Sequence, residues 1–477
     1  MSEKRPILLI NAPFFQLYAA SKGAMSYYFP LGIGYLAAFL EKHGYAVEMI
    51  LESATVDVFQ ELRARLRTKS YLFVGLSSMT SAYPAAVKLA AEIKALSPET
   101  HVVLGGAHAS AVGVRAFEDT PDFDSLCIGE GEFTVLELAR ALEAGETDLT
   151  AIAGLAWKND HGSIEINKPR PFHSSIDDFP WPARHLADFE SFSVGAHITA
   201  GGGNSATMIT SRGCPFGCIF CSARLTVGKK YRFRSVDDTV AEIRWLRDTH
   251  NVRYIFFQDD TLTLVRKRIR ALCERLEGEN LGIEFGCLSR VDVFDQELAG
   301  LLRRAGCRMV VFGIESGDQE TLHKIGKHIS LESAKTAVDH CKEFGLQSYA
   351  SFVVGFPFES RELIEKTIAF GKSLEAARLT FNPLVPFPGT PVFVDKEHYP
   401  QNVSGWSRFL TTGAPPFDIT PGISATELKT IVDRAHLAYY FKPRRLASII
   451  GEIRSVGELW AMLKASTVLF KALNPFK

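Results

Sequence analysis

The chain has 477 residues, 46% of them hydrophobic and 22% charged, a composition typical of globular proteins. This length predicts two or three domains. The formal net charge of −1 gives no global field for capturing nucleic acid or an anionic membrane, so no nucleic-acid partner is expected. The first residues do not continue into a secretory segment, and no run reaches the ~18 apolar residues of a spanning helix, so we expect a cytoplasmic protein.

The first 145 residues alternate short apolar runs with amphipathic ones, about five times. Continuous apolar strands joined by helices predict a parallel sheet covered on both faces, which is a doubly wound, Rossmann-like α/β domain over residues 1–150. Ligands of such domains bind at the carboxyl ends of the strands. The strand-like runs are 7–10, 47–50, 72–76, 102–104 and 126–128, and the helical runs are 31–43, 56–67, 85–96 and 133–142.

Short loops rich in Gly, Ser and Thr follow several of these strands. Such residues let a ligand approach the backbone closely, and the same residues also build plain strand-to-helix turns and caps. The loops therefore predict either a binding crevice or ordinary turns. Their candidate binding residues are Asn11, Ser77, Ser78, Thr80, Gly105, Gly106, His108, Gly129, Glu130 and Gly131.

A hairpin is predicted over 152–166, within a hairpin-and-linker segment at 151–200 that contains four prolines after residue 168. A second repeating unit then begins at about Ala206 and contains six strand-like runs, so we expect a partial (β/α)6 barrel over residues 201–395. A small helical C-terminal region is expected over 396–477. The six runs end at Ser211, Asp260, Arg290, Ser316, Phe356 and Phe387, and the helical runs are 238–248, 264–276, 296–305, 332–344 and 361–376.

Three of the eight cysteines lie within eight residues, at Cys214, Cys218 and Cys221. A structural zinc site requires four protein ligands, whereas a 4Fe-4S cluster held by three thiolates leaves one iron open for reaction. The alternative is three small buried residues in a tight loop. We interpret the other five cysteines as packing residues.

Polar residues recur where the predicted barrel strands end. They include Asp259, Arg290, Glu315 and Gly355. Residues at one rim of a barrel converge in space, so this recurrence predicts a site there. A structural ion pair of Arg290 with Asp259 or Glu315 is the alternative. Arg232 and Arg234 are interpreted as a solvated basic face, with carboxylate binding as the alternative.

The three-cysteine spacing, with Phe220 before the third Cys, resembles the cluster loop of radical S-adenosylmethionine (SAM) enzymes. Gly-Ile-Glu-Ser-Gly at 313–317 and Val-Val-Gly-Phe-Pro at 353–357 are similar to the ribose and adenine motifs of that family. The resemblance implies a 4Fe-4S cluster on the three cysteines whose open iron chelates SAM. It also implies SAM contacts from Arg290, Glu315 and Gly355, with Asp259 and Phe220 beside them, and an electron donor such as flavodoxin or ferredoxin.

The loops of the first 145 residues look like the cobalamin-binding domain that precedes the radical SAM core in one subgroup. The Asp-x-His-x-x-Gly element that places a lower axial His in other cobalamin proteins is absent from the first loop. The resemblance therefore implies a cobalt without a protein imidazole below it. His108 follows a different strand, and we interpret it as a loop residue that contacts the corrin or only forms a hydrogen bond.

The reaction implied is a cobalamin-dependent radical SAM methylation of an unactivated carbon of a small-molecule or lipid substrate. The alternatives are ring closure or another rearrangement, as in the anaerobic porphyrin-ring cyclases, and a similar enzyme whose first domain binds no cobalamin. A non-catalytic iron-sulfur carrier or cobalamin sensor is a further alternative. A tRNA methylthiolating enzyme is disfavoured, since its first domain would carry a second three-Cys set.

Residues 425–440 are predicted to form a helix, and residues 441–477 combine seven basic residues and two acidic ones with a helical apolar pattern. This pattern is typical of a helical cap on an open barrel, and also of a helix that lies on an anionic membrane. Peripheral membrane contact would favour a lipid substrate.

Overall fold

The first half of the chain forms a seven-stranded sheet in the order β2-β1-β3-β4-β5-β6-β7. The computed structural model describes residues 5–14, 27–193, 204–393, 400–411 and 413–443. Strands β1 to β5 are parallel, and β6 and β7 add an antiparallel hairpin at one edge. The elements are β1 (Ile7–Asn11), α1 (Leu31–Lys42), β2 (Val47–Ile50), α2 (Val58–Leu66), β3 (Phe73–Ser77), α3 (Tyr83–Leu96), β4 (His101–Gly105), α4 (Gly106–Val112), α5 (Ala116–Asp119), β5 (Ser125–Cys127), α6 (Glu132–Ala144), β6 (Leu155–Lys158) and β7 (Ile164–Ile166).

The parallel strands of this sheet are buried on both faces, as their continuous apolar runs predict. In β1, Ile7 and Leu9 belong to one hydrophobic core, and Leu8 and Ile10 belong to the core on the opposite face. Alternate residues of a strand point to opposite faces, so a strand covered on both sides needs apolar residues at every position. The doubly wound α/β fold is therefore confirmed.

The second half forms a six-stranded parallel sheet in the order β15-β14-β13-β12-β11-β8, the predicted open barrel. A short antiparallel ribbon of β9 and β10 lies outside it. The elements are β8 (Asn204–Met208), β9 (Ser211–Arg212), α7 (Ala223–Val227), β10 (Arg232–Phe233), α8 (Val236–His250), β11 (Val252–Phe257), α9 (Arg266–Glu279), β12 (Glu284–Ser289), α10 (Gln296–Arg304), β13 (Cys307–Glu315), α11 (Gln319–Lys324), α12 (Leu331–Glu343), β14 (Gln347–Val354), α13 (Arg361–Ser373), β15 (Arg378–Pro383) and α14 (Ala425–Tyr440).

One predicted loop is a helix. Residues 106–112, expected as part of a strand-to-helix loop, form the seven-residue helix α4. A helix of two turns is too short to show an amphipathic period in the sequence, and its start at Gly105-Gly106 imitates a turn.

The segment after β15 covers parts of both sheets. Trp406 packs into a hydrophobic core of the first sheet, whereas α14 packs on β15, where the Tyr440 hydroxyl donates to the carbonyl of Leu379 over 2.7 Å. The helix predicted for 425–440 is present with those bounds. The basic segment after residue 443 lies outside the described residues. Within the described ranges, no helix is long and apolar enough to cross a membrane.

Candidate active site

The carboxyl ends of the two sheets meet at a cavity of about 280 Å³. The first sheet contributes Ser77 and Gly105, where β3 and β4 end, and the loop after β5. The second sheet contributes Gln258 and Asp260 after β11, and the ribbon contributes Ser211 and Arg212. Both halves were predicted to bind ligands at these strand ends, and the fold brings the two ends together.

The wall on the side of the first sheet combines several glycines with larger apolar side chains. Gly75, Gly105, Gly106, Gly129 and Gly131 all line it. A Cβ at Gly106, whose φ is +90°, would lie 2.8 Å from the carbonyl oxygen of Ser78. At the glycine positions a flat ring can lie close to the backbone, and the apolar side chains around them suit its faces, so these residues fit a corrin.

The structure divides the candidate residues of the first domain into two groups. One group lines the cavity and the other lies away from it. Ser77, Gly105, Gly106, Gly129, Glu130 and Gly131 line the cavity, and Asn11, Ser78, Thr80 and His108 are not among its lining residues.

His108 is buried beside the cavity wall rather than in it. Its ring packs 4.0 Å from Tyr83 and 4.8 Å from Trp406, measured between centroids, and its Nδ1 lies 3.3 Å from the Thr80 hydroxyl. Burial lowers the pKa of His108 to about 3, so the ring is neutral. Its position in α4 corrects the expectation of a loop residue, and its contacts are those of a core histidine.

The loop with the three cysteines follows β9 and is fixed at several points. The amide of Cys214 donates to the carbonyl of Gly228, and the amide of Ile219 donates to the carbonyl of Ile325. Gly213 has a φ of +99°, and a Cβ there would overlap the carbonyl of Lys230. The glycine is required by this close approach and by the left-handed backbone.

Cys214 and Cys218 are half-buried and Cys221 is exposed, all three as free thiols. Desolvation raises the pKa of the Cys214 and Cys218 thiols, so iron must displace their protons on binding. Within the described ranges, no three His, Cys, Asp or Glu side chains are grouped to hold one metal ion. The thiolates of a 4Fe-4S cluster bind different irons, and the three cysteines of this one loop are the donor type that such a cluster takes.

Asp259 braces this loop instead of facing a ligand. Its carboxylate, 1% exposed, accepts hydrogen bonds from the Thr210 amide and hydroxyl and from the Ser211 hydroxyl. Asp260, the next residue, is exposed and lines the cavity. Among the described residues, the cavity-facing carboxylate at this rim is therefore Asp260, which sequence reasoning passed over in favour of Asp259.

Arg290 lies directly against the cysteine loop. Its guanidinium stacks 3.6 Å from the ring centroid of Phe216, between the first two cysteines. It pairs with Asp292 over 2.8 Å and donates to the carbonyl of Lys327. The ion pair is thus with Asp292, not with Asp259 or Glu315. The sequence signal for Asp292 was only its position two residues after Arg290.

Glu315 is held in an uncommon conformation where β13 ends. Its φ is +74°, and the register of β13 with β14 shifts between Gly313 and Glu315. Its Oε1 lies 3.2 Å from the Nζ of Lys327, and the sequence did not suggest this buried pair. Strained non-glycine residues of this kind concentrate at functional sites.

Gly355 has a φ of +95° and has both backbone groups occupied. Its amide donates to Glu359 over 2.6 Å, and its carbonyl accepts from the Thr420 hydroxyl. The next residue, Phe356, packs 5.7 Å from the ring of Phe220 in the cysteine loop. The predicted positions Phe220 and Gly355 are thus brought together by Phe356, and the sequence did not predict the buried Glu359 that holds the backbone there.

Arg232 and Arg234 do not form the solvated face that the sequence favoured. They are 4% and 2% exposed. Arg232 pairs with Glu130 over 2.9 Å, and Arg234 pairs with Glu242 and Asp238. Both guanidiniums are thus paired with carboxylates of the protein. Glu130 is about one hundred residues from Arg232 along the chain, so local sequence patterns could not predict this pair.

The fold and the site define a B12-binding domain joined to a radical SAM domain. A family model described as "Radical SAM superfamily" matches residues 208–371, and one described as "B12 binding domain" matches residues 24–139. The chain belongs to the radical SAM superfamily, in the group with a B12-binding domain. It is similar to an uncharacterized methyltransferase of Pyrococcus horikoshii, with 32% identity over 428 residues that cover 89% of this chain and 90% of the relative.

Two other similarities extend this result. An anaerobic magnesium-protoporphyrin IX monomethyl ester cyclase of Rubrivivax gelatinosus is 28% identical, over 76% of this chain and 65% of the cyclase. The solved structure of the radical SAM methyltransferase TsrM from Kitasatospora setae superposes with a TM-score of 0.66 at 20% identity, covering 82% of this chain and 74% of that one, and shows the same fold. The chain is a radical SAM enzyme homologous to cobalamin-dependent methyltransferases, and the predicted 4Fe-4S cluster, SAM and cobalamin are the cofactors of these two domains.

Proposed function

We propose that this enzyme transfers a methyl group to an unactivated carbon of a small molecule bound in the cavity between the two sheets. The observation that carries the proposal is that one cavity is lined by the strand ends of both sheets. A methylation of this kind needs a radical source and a methyl carrier within reach of one substrate carbon. When bound, the cluster with SAM and cobalamin supply these two chemistries.

The residues of the chain have distinct roles in this proposal. Cys214, Cys218 and Cys221 hold the cluster, and Asp259 fixes the backbone at the start of their loop. Arg290 and Glu315, with Lys327, lie beside the cysteine loop and are proposed to orient SAM. The glycine-lined wall at Gly105, Gly106, Gly129 and Gly131 receives cobalamin.

The cavity itself favours a mostly apolar substrate with one polar end. Leu9, Ile33, Leu36, Val135 and Ile209 are among its apolar lining residues. Gln258 and Asp260 provide its exposed polar groups at the β11 rim. We propose that these two side chains orient the polar end of the substrate, which leaves its apolar carbons facing the centre of the cavity.

Ring closure is the second candidate function. The similarity to the cyclase of Rubrivivax gelatinosus favours it. The methyltransferase relative is covered over 90% of its length against 65% for the cyclase, and this supports methylation as the first candidate. Methylation adds the mass of one CH₂ to the substrate and ring closure does not, so the two products are distinguished by mass.

The test is anaerobic reconstitution with iron, sulfide and hydroxocobalamin, followed by reduction in the presence of SAM with a deuterated methyl group. A flavodoxin or ferredoxin is the proposed physiological reductant. Absorbance should show both chromophores, 5′-deoxyadenosine should be released, and candidate substrates should gain a deuterated methyl group. Release of 5′-deoxyadenosine by a protein that binds no cobalamin would overturn the proposal.

A further inference from the structure

Two glutamates of the first domain are paired with two arginines of the β9–β10 ribbon. Glu130 lies 3.2 Å from Arg212 and 2.9 Å from Arg232, and Glu132 lies 2.7 Å from Arg212. All four side chains are at most 11% exposed. We call these four residues the interdomain clamp.

The clamp is balanced in charge and specific in geometry. Two carboxylates face two guanidiniums, whose fixed planar forks match carboxylates. The guanidinium of Arg212 also stacks 5.0 Å from the ring of Tyr35 and 4.7 Å from that of Phe179. Arg232 donates to the carbonyls of His173 and Val227 at 2.8 Å each. Each arginine is thus held in one orientation by groups on several segments.

The clamp is connected to both ends of the cysteine loop. Arg212 is two residues before Cys214. Arg232 donates to the carbonyl of Val227, and the next residue, Gly228, accepts a hydrogen bond from the Cys214 amide. The same glutamates, together with Arg212 and Val227, line the cavity. A change in the clamp would therefore move the cysteine loop relative to the wall on the cobalamin side.

We propose that Glu130 and Glu132 are positioning residues that hold the cysteine loop at a fixed distance and orientation from the cobalamin side of the cavity. They act through Arg212 and Arg232. This positioning role is proposed in addition to the cobalamin contact that the sequence predicts for Glu130, which lines the same cavity. The ion pairs of the structure support the positioning of the loop by themselves. The statement that the loop is positioned relative to cobalamin rests on the proposed function.

The first test uses the cofactor-free protein and hydrogen exchange. Glu130→Gln keeps the size of the side chain, and it leaves Arg212 with Glu132 and Arg232 with its two backbone acceptors, so the fold should persist. We expect backbone amides at 211–214 and 232–234 to exchange roughly tenfold faster than in the unaltered protein, because the ribbon loses its charged pairs with Glu130 and opens more often. Glu92→Gln, which breaks the exposed pair with Arg63, is the matched control and should leave this exchange unchanged.

The second test uses protein reconstituted with iron, sulfide and hydroxocobalamin, then reduced and examined by electron paramagnetic resonance. A fixed distance between two paramagnetic centres gives a defined magnetic coupling, and we expect this coupling to weaken and broaden in Glu130→Gln at unchanged iron and cobalt content. Arg212→Lys keeps the charge but loses the fork, and it should change the signal in the same direction; it replaces Glu130→Gln should that variant not fold.

The outcomes separate the inference from the function on which it rests. Unchanged exchange and unchanged coupling in a folded Glu130→Gln would overturn the positioning role. An unaltered protein that takes up no cobalamin would overturn the proposed function, whereas faster exchange in Glu130→Gln would still support the hold of the clamp on the ribbon.

Discussion

At the scale of single residues, the rim after β11 shows that the sequence can locate a cavity-lining segment without indicating which of its side chains faces the cavity. Gln258, Asp259 and Asp260 are polar neighbours, and successive side chains of an extended chain point to opposite sides. Asp259 turns inward to Thr210 and Ser211, whereas Gln258 and Asp260 face the cavity. Which of two adjacent carboxylates faces a ligand depends on backbone direction, which the sequence does not show.

Replacing Cys218 by Ala should abolish iron binding and SAM cleavage in a folded protein. The reason is that each thiolate of a three-Cys set binds its own iron, so the remaining two cannot hold the cluster. Iron content and 5′-deoxyadenosine release measure the effect. Cys273→Ala is the control, because Cys273 lies in the barrel core. This variant protein should bind iron like the unaltered protein while its free energy of unfolding falls by roughly 1 kcal/mol. Full iron content in Cys218→Ala would refute the assignment.

Glu359 should make stability depend on pH. Burial raises the pKa of its carboxyl to about 7 from 4.5. Between these values the unfolded chain has released the proton that the folded protein retains, so stability falls as the pH rises from about 4.5 to about 7, by up to roughly 3 kcal/mol. Glu359→Gln keeps an acceptor for the amides of Gly355 and Phe356 and should lose this dependence.

Urea unfolding of the cofactor-free protein at pH 5 and pH 7.5 measures this difference. Glu365→Gln, at an exposed position of the neighbouring helix α13, is the control and should behave like the unaltered protein. Equal pH dependence in Glu359→Gln and the unaltered protein would show that Glu359 is ionised in the folded state.

At the scale of elements, strands and helices long enough to show a periodic hydrophobic pattern were predictable. Very short elements, and contacts between segments distant in sequence, were not. The buried strands follow from continuous runs of apolar residues, and long helices such as α14 follow from apolar residues at helical spacing. Helix α4 was missed because two turns show no period, and the β9–β10 ribbon was missed because two residues per strand show no alternation. The partners of Arg232 and Arg234 were missed because ion pairs between separate segments leave no local signal.

The cysteine loop should depend on the glycine before it. Gly213→Ala places a Cβ against the carbonyl of Lys230 and forces a left-handed backbone that costs about 1 kcal/mol or more, so the loop should shift and iron content should fall. Gly217→Ala is the matched control within the same loop, since its Cβ would meet only a side-chain nitrogen of Arg224 at 3.6 Å. Equal iron content in the two variants would contradict this requirement.

At the scale of the whole molecule, the site exists only because segments distant in sequence close over one another. The first sheet supplies the glycine wall, and the second supplies the cysteine loop and the β11 rim. The segment after β15 then returns to the first sheet, where Trp406 is 1% exposed against Tyr83 and His108. Sequence patterns predicted each half, whereas the packing of one half on the other required side-chain contacts that no periodicity records.

This packing bears on the ligand of cobalt. Trp406 and Tyr83 enclose the ring of His108, and that ring is not part of the cavity lining. The loop after β1 also lacks a histidine. We therefore predict that the cob(II)alamin form of the enzyme shows no nitrogen superhyperfine splitting from a protein imidazole in its electron paramagnetic resonance spectrum. His108→Ala should leave that spectrum unchanged and lower stability, because removing the ring leaves a cavity beside Trp406. Nitrogen splitting that disappears in His108→Ala would show instead that α4 rearranges to deliver this histidine to the cobalt.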